Sequence, residues 1–346
     1  MTIREEFNAE IADHILIKDG PYGTAIQNRK LTEAEYRGDT GLTQDQKGNN
    51  DLVCLTRPDL IREIADSYID AGAVILATNT FNANRISQAD YGAEHLVADI
   101  NRAAARVLRQ AVDARTDGIR RFVCGAVGPT NKTLSISPDV NDPGFREVDF
   151  DGMKSVYREQ IDALVEGGID IVLIETVFDT LNAKAAAMAA MEAGDDLGRD
   201  LPIMMSLTLT DMAGRNLSGQ GVEAFWYSVR HVRPVTIGLN CSFGATELRP
   251  HVTALAKAAD CAVMVYPNAG LPNEMGEYDE AAETTAGLVR AWAEEGLVNS
   301  IGGCCGTTPD HVAAIAAAVK ACPPRRVPDP APAMRLSGLD PFTVAA

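Results

Sequence analysis

Three cysteines stand where metal or redox chemistry could be done. Cys241 closes the apolar run Val235 to Ser242 in Gly238-Leu239-Asn240-Cys241, and Cys304 and Cys305 sit side by side in Gly302-Gly303-Cys304-Cys305-Gly306. Three thiolates suit Zn²⁺, which takes sulfur at about 2.3 Å in tetrahedral geometry. Three protein ligands leave one corner open, the arrangement of a catalytic rather than a structural zinc. The flanking glycines would let both adjacent cysteines turn inward. The spacing alone leaves alternatives open: a strand-end cysteine is commonly a small core residue, and an adjacent pair could be a redox couple. Cys54, Cys124, Cys261 and Cys322 are read as packing residues.

Sixty-three residues separate Cys241 from Cys304, so the fold must bring them together. One rhythm runs along the 346 residues. A short apolar run ends in Gly, Asn, Thr or Pro, and a helical stretch follows. The runs are His14 to Gly20, Ala73 to Thr80, Phe122 to Thr130, Ile169 to Val177, Pro202 to Leu209, Val235 to Ser242, Ala262 to Gly270 and Leu297 to Cys305. Near-continuous apolar strands fit a parallel sheet covered on both faces. Between them, Leu60, Ile61, Ile64, Tyr68 and Ile69 predict a helix over Asp59 to Ala71. Met153, Val156, Tyr157, Ile161 and Leu164 predict another, and Thr308-Pro309-Asp310 opens a last one through Ala318. Eight such units fit an α/β fold, a single-domain (β/α)8 TIM barrel, with a doubly wound open sheet as the alternative. In a barrel the carboxyl ends of the strands meet at one mouth. Residues 1–322 form the expected barrel, and the proline-rich 323–346 an exposed tail or linker. Asn28 to Asn50 and Asn131 to Asp151 read as long loops over the mouth.

Composition narrows the partners. The formal charge of -17 disfavours nucleic acid. No apolar run approaches the roughly 18 residues of a membrane span. The start lacks a signal-peptide segment, and seven cysteines do not suggest a disulfide framework. The expected location is the cytoplasm. Asp19-Gly20-Pro21-Tyr22-Gly23 lacks the dinucleotide pattern, and none of the five histidines falls in a motif.

The two cysteine motifs, the second continuing as Thr307-Thr308-Pro309, resemble the zinc signature of the homocysteine S-methyltransferase family. Asp19-Gly20-Pro21-Tyr22-Gly23-Thr24 resembles its opening motif, although the family usually has a small or hydrophobic pair before the second glycine. Asn79-Thr80-Phe81, Gly128-Pro129-Thr130, Ile174-Glu175-Thr176 and Tyr266-Pro267-Asn268-Ala269-Gly270-Leu271-Pro272 match as well, so the likeness spans about Asp13 to Val319. Within the family, Leu217-Ser218-Gly219-Gln220, Asn268 to Asn273 and Gly276-Glu277-Tyr278-Asp279 are most similar to the homocysteine-binding module of cobalamin-dependent methionine synthase. Met334 to Pro341 resembles the linker to that enzyme's folate barrel. No folate barrel and no cobalamin-binding Asp-x-His-x-x-Gly lies within these residues, so the protein is either naturally split or a piece of a longer one.

The resemblance implies methyl transfer to the sulfur of homocysteine, giving methionine. It implies Zn²⁺ on Cys241, Cys304 and Cys305, and a methyl group from methylcobalamin carried on a separate corrinoid polypeptide. Asp19 and Glu175 are then expected to take the substrate ammonium; without the resemblance they read as solvated or helix-capping acids. The backbone N–H groups of Gly20 and Tyr22 are expected to meet the carboxylate, with Thr78 and Asn79 lining the same pocket or simply forming turns. The side-chain oxygen of Asn268 is expected at the open zinc corner when substrate is absent, against ordinary turn chemistry. Other readings are a methyltransferase using betaine, S-methylmethionine or another small donor, and a non-catalytic zinc or homocysteine-binding interaction module.

Overall fold

A computed structural model describes residues 1–344. Each of the eight apolar runs contains a strand: β1 (Leu16–Ile17), β2 (Ile75–Ala77), β3 (Phe122–Val127), β4 (Ile171–Val177), β5 (Ile203–Leu207), β6 (Thr236–Asn240), β7 (Ala262–Tyr266) and β8 (Ser300–Ile301). All pair in parallel, in the order β1-β8-β7-β6-β5-β4-β3-β2. A parallel bridge from Lys18 to Ile75 joins the two ends of that order. The Val74 N–H donates to Ile17 O at 2.8 Å and the Asp19 N–H to Ile75 O at 2.9 Å across this seam. The sheet is a closed (β/α)8 barrel rather than an open one.

Nine helices are needed to follow it. α1 (Ile3–Asp13) precedes the barrel, and α2 (Pro58–Asp70), α3 (Val97–Asp113), α4 (Phe150–Gly167), α5 (Thr180–Asp196), α6 (Val222–Val229), α7 (Ala245–Ala258), α8 (Ala282–Glu294) and α9 (Pro309–Val319) follow the strands. Their apolar stripes pack on the outside of the sheet, where Ile61, Tyr68, Leu108, Ile161, Trp226 and Ile315 are buried. The barrel interior is a second cluster of Leu16, Ile75, Phe122, Leu173, Met204, Met264 and Tyr266. α1 closes its amino-terminal end: Phe7 is fully buried and meets Phe122 edge-on at 5.1 Å. Burying a Phe this way contributes on the order of 2 kcal/mol. The carboxyl end has no such plug and is covered only by loops, among them the expected stretches around 28–50 and 131–149, the first of which carries a short helix, Glu33–Arg37.

The tail departs from an exposed linker. Arg325 is 4% exposed, and its guanidinium donates to Ala256 O at 2.6 and 3.0 Å and to Cys261 O at 3.0 Å. It thus caps carbonyls at the end of α7. Beyond it, β9 (Arg335–Ser337) and β10 (Pro341–Thr343) form an antiparallel hairpin. Gln220 Nε2 donates to Ser337 Oγ at 3.2 Å and Arg215 Nη2 to Asp340 Oδ1 at 2.8 Å, fastening the hairpin to the loop before α6. These partners lie more than a hundred residues away, so the proline-rich local sequence does not reveal them. Among the described residues, no helix is long and apolar enough to cross a membrane.

Candidate active site

β6 and β8 flank β7, and their carboxyl ends bring the three sulfurs together. Cys241, Cys304 and Cys305 each offer an Sγ within 4.8 Å of the others. Cys241 Sγ lies 3.8 Å from Cys305 Sγ, and all seven cysteines are free thiols. Two sulfurs at tetrahedral corners about 2.3 Å from one zinc would lie about 3.8 Å apart, so this set fits a thiophilic divalent ion. A disulfide would need about 2.05 Å.

Local structure holds each sulfur. Cys241 and Ser242 adopt φ of +58° and +64°, a left-handed pair that turns the chain sharply off β6. Such backbone costs about 1–3 kcal/mol per residue and persists only where its surroundings impose it. Here the Leu209 N–H donates to Ser242 Oγ at 2.7 Å, and Ser242 Oγ lies 2.6 Å from Thr208 Oγ1. After β8 the Cys304 N–H donates to Pro267 O at 2.8 Å, and Thr307 Oγ1 donates to Cys304 O at 2.7 Å. Gly306 has φ +78°, and a Cβ there would fall 2.2 Å from Tyr278 Cβ, so glycine is required for Tyr278 to lie beside Cys305. Hydrogen bonds from the Cys304 and Cys305 thiols hold the Cys241 thiol down at about 3, while contact with Cys241 pushes the other two up. A first thiolate within the trio is therefore stabilised by the two thiols beside it.

The sulfurs open into a cavity of about 790 Å³ above the barrel. Gly20, Tyr22, Thr78, Asn79 and Glu175 line it, as do Cys241, Cys304 and Cys305. Glu175, near the carboxyl end of β4, is half-buried, and its Oε2 accepts from Tyr266 Oη at 3.0 Å. Burial pushes its carboxyl up, and Lys18 and Tyr266 pull against that. The next residue, Thr176, has φ +56°, a rare conformation for a β-branched residue. Asn240 holds it there. The Thr176 N–H donates to Asn240 Oδ1 at 3.0 Å, and Asn240 Nδ2 donates to Thr176 Oγ1 at 2.8 Å. Ser206 Oγ donates to Asn240 Oδ1 at 2.7 Å, and Asn240 Nδ2 reaches to 4.0 Å from Cys304 Sγ.

Thr78 and Asn79 are already engaged. Thr78 Oγ1 accepts from the Ala126 N–H at 2.9 Å, and Asn79 Nδ2 donates to Asn50 O at 2.7 Å. Gly20 is required by a close approach: a Cβ would fall 2.7 Å from the Tyr68 ring. Tyr22 opens a short helix, Tyr22–Gln27, and its buried hydroxyl has no partner.

One expectation changes. Asp19 is fully buried and does not line the cavity. Lys18 Nζ donates to its Oδ1 and the Ala77 N–H to its Oδ2, both at 2.8 Å, which holds the carboxylate behind the cavity wall. Asn268 Oδ1 accepts from the Cys305 N–H at 3.1 Å, which ties it to the cysteine loop, and its side chain also reaches the Cys241 thiol.

Five residues of the site carried no assigned role in the sequence reading: Lys18, Asp51, Asn240, Tyr266 and Tyr278, all lining the cavity. Lys18 gave a signal, a charge inside the apolar run His14 to Gly20. Burial works against its ammonium, but Asp19 and Glu175 outweigh that and hold its pKa above the usual range. Burial likewise pushes Asp19 up while Lys18 pulls it down. With an ammonium and an amide on its two oxygens, the pair stands as ionised. Asp51 is 4% exposed and accepts from the Asn82 N–H at 2.9 Å, and no basic side chain pairs with it among the described residues. Burial pushes its carboxyl up to about 7.

Residues 16–319 match the family model described as homocysteine S-methyltransferase. Among solved structures, the metallated form of the homocysteine methyltransferase MmuM from Escherichia coli is 23% identical, with a TM-score of 0.68 over 88% of this chain and 96% of that one. Its apo form is 22% identical, with a TM-score of 0.63 over 88% and 95%. At this identity the likeness speaks for the shared barrel.

Proposed function

The chain belongs to the homocysteine S-methyltransferase family and is a methyltransferase acting on homocysteine; from that premise we propose that it forms methionine with Zn²⁺ on Cys241, Cys304 and Cys305, taking the methyl group from methylcobalamin on a separate corrinoid polypeptide. The trio of sulfurs at the floor of an open cavity carries the reading. A free thiol, with pKa near 8.5, is mostly protonated at neutral pH, and only the thiolate attacks a methyl carbon well. When bound, zinc supplies the Lewis acidity that strips that proton and presents the sulfur as an anion.

The chain's own residues do the rest. Three cysteine thiolates give the site an excess of negative charge, which keeps an incoming sulfur electron-rich. Glu175, with one oxygen held by Tyr266, offers the other to the substrate ammonium. Asp19 serves as counter-ion to Lys18, one step behind the wall. As the sulfur forms its bond to the methyl carbon, the donor's bond to that carbon breaks and the donor keeps the electron pair.

A cavity of about 790 Å³ has room for an amino acid and little more than a drug-sized companion. A corrinoid would have to present its methyl group from outside the mouth, consistent with a donor on another polypeptide. A second reading has its own observation. Glu175, Asp51 and Glu277 all line the cavity, and that charge suits a small cationic donor such as betaine or S-methylmethionine. The cytoplasm is the compartment where such thiols stay reduced.

The test is methionine formation from homocysteine with methylcobalamin on a carrier protein, with betaine and with S-methylmethionine. Each is run on metal-replete and on chelated protein. Turnover only with the corrinoid, lost on chelation and restored by Zn²⁺, is expected. Turnover with a small donor alone shifts the assignment to the second reading. A rate indifferent to chelation removes the metal from the mechanism.

A further inference from the structure

Lys18 is the one basic side chain that lines the cavity among the described residues. It follows β1 and takes part in the seam that closes the barrel, so its side chain is fixed in the cavity floor. It is 4% exposed. Nζ lies 2.8 Å from Asp19 Oδ1 and 4.6 Å from the centre of the Tyr266 ring. The neighbouring strand makes room for it: a Cβ on Gly302 would fall 2.7 Å from Lys18 Cβ. The two charge types thus meet at one ring, since Tyr266 carries Lys18 against its face and donates its hydroxyl to Glu175.

An ammonium has three N–H donors, and Asp19 takes one. A buried cation whose partner is already matched has no structural need of a place beside a ligand cavity. An amino-acid substrate brings an ammonium and a carboxylate separated by one carbon. Glu175 suits the first. Along the wall the carboxylates and thiolates would repel the second, the tyrosines carry no charge, and Lys18 is the one cation. We propose that Lys18 recognises the α-carboxylate of the amino-acid thiol, acting as the cationic half of a two-point clamp whose anionic half is Glu175. This rests on the assignment of the cavity as the homocysteine site. It adds to the floor of the cavity a group that sorts thiols by whether they carry a carboxylate.

The experiment compares dissociation constants of the metal-loaded full chain for homocysteine and for 3-aminopropane-1-thiol, which lacks only the carboxylate. A charge-assisted contact of this kind corresponds to roughly 10–100-fold in affinity. The unaltered protein is expected to favour homocysteine by that factor. Lys18→Gln, which keeps a donor for Asp19, and the doubly neutral Lys18→Met/Asp19→Asn are each expected to erase the preference, leaving affinity for the aminothiol and the metal content unchanged. If both thiols weaken together, Lys18 is merely structural and the proposal falls. It falls equally if either folded variant keeps the preference, or if the unaltered protein shows none. An unaltered protein that binds neither thiol instead overturns the assignment of the cavity, and the role of Lys18 with it.

Discussion

The amino-terminal end of the barrel borders a cavity of about 1210 Å³, and the carboxyl end one of about 790 Å³. The larger lies beneath the tail and is rich in arginine, and three of those arginines are matched by protein groups. Arg4 Nε meets Asp200 at 2.6 Å, Arg230 Nε meets Asp260 at 2.9 Å, and Arg325 is seated on the carbonyls of α7. At the smaller, Asp51 has no cationic partner, the Tyr22 hydroxyl has none at all, and Thr176, Cys241 and Ser242 hold left-handed backbone. The arginine–aspartate pairs at the larger cavity are matched, while the smaller keeps a buried acid with no cation against it. Size alone therefore does not say where chemistry occurs; the three gathered sulfurs and the unpaired acid mark the smaller cavity.

The sharpest way to break this contrast is at the sulfurs. Cys304→Ser should abolish metal binding and lower methyl transfer by more than roughly 100-fold, beyond the loss typical of an outer-sphere partner. Elemental analysis and a methionine assay on the folded variant check it, and retained metal with retained turnover would contradict the assignment. Next comes Asp51. Its folded carboxyl is held at about 7 by burial, whereas an unfolded one titrates near 3.9. Its contribution to stability is therefore present at low pH and is lost as the pH rises toward 7, by up to roughly 4 kcal/mol. Asp51→Asn keeps the acceptor for the Asn82 N–H and removes the charge. It should raise the urea midpoint at pH 8 and do so progressively less toward pH 4; a pH-independent difference would mean the carboxylate is compensated. The opposite end predicts the opposite behaviour. Arg325→Ala should cost about 2 kcal/mol in urea unfolding while leaving turnover per folded molecule unchanged, since it only uncovers carbonyls. A kinetic defect there would blur the division between the two ends.

Much of this was legible from residues. Parallel strands buried on both faces leave continuous apolar runs, so all eight strands fall inside the runs read from the sequence. The convergence of Cys241 with Cys304 and Cys305 follows from barrel geometry, although the cysteines alone left a redox pair open. Orientation was harder. Nothing in Asp19-Gly20-Pro21-Tyr22 tells that Asp19 faces Lys18 and Ala77 rather than a ligand, because that depends on side-chain direction across the β1–β2 seam. Asn268 is similar: its hydrogen bond from the Cys305 N–H joins two loops that lie far apart in sequence. The tail hairpin rests on Arg215 and Gln220, and local composition carries no trace of such distant partners.

Asn240 joins matters that the sequence keeps apart. One amide steadies the peptide that follows the acid on β4 and stands beside a sulfur just after β8. The half of the pocket that reads an amino acid and the half that activates it therefore share a single fixture and cannot be retuned separately. Directed evolution toward a different acceptor should tolerate change at Thr176 or Ser206 sooner than at Asn240, where one replacement would misalign recognition and reactivity together.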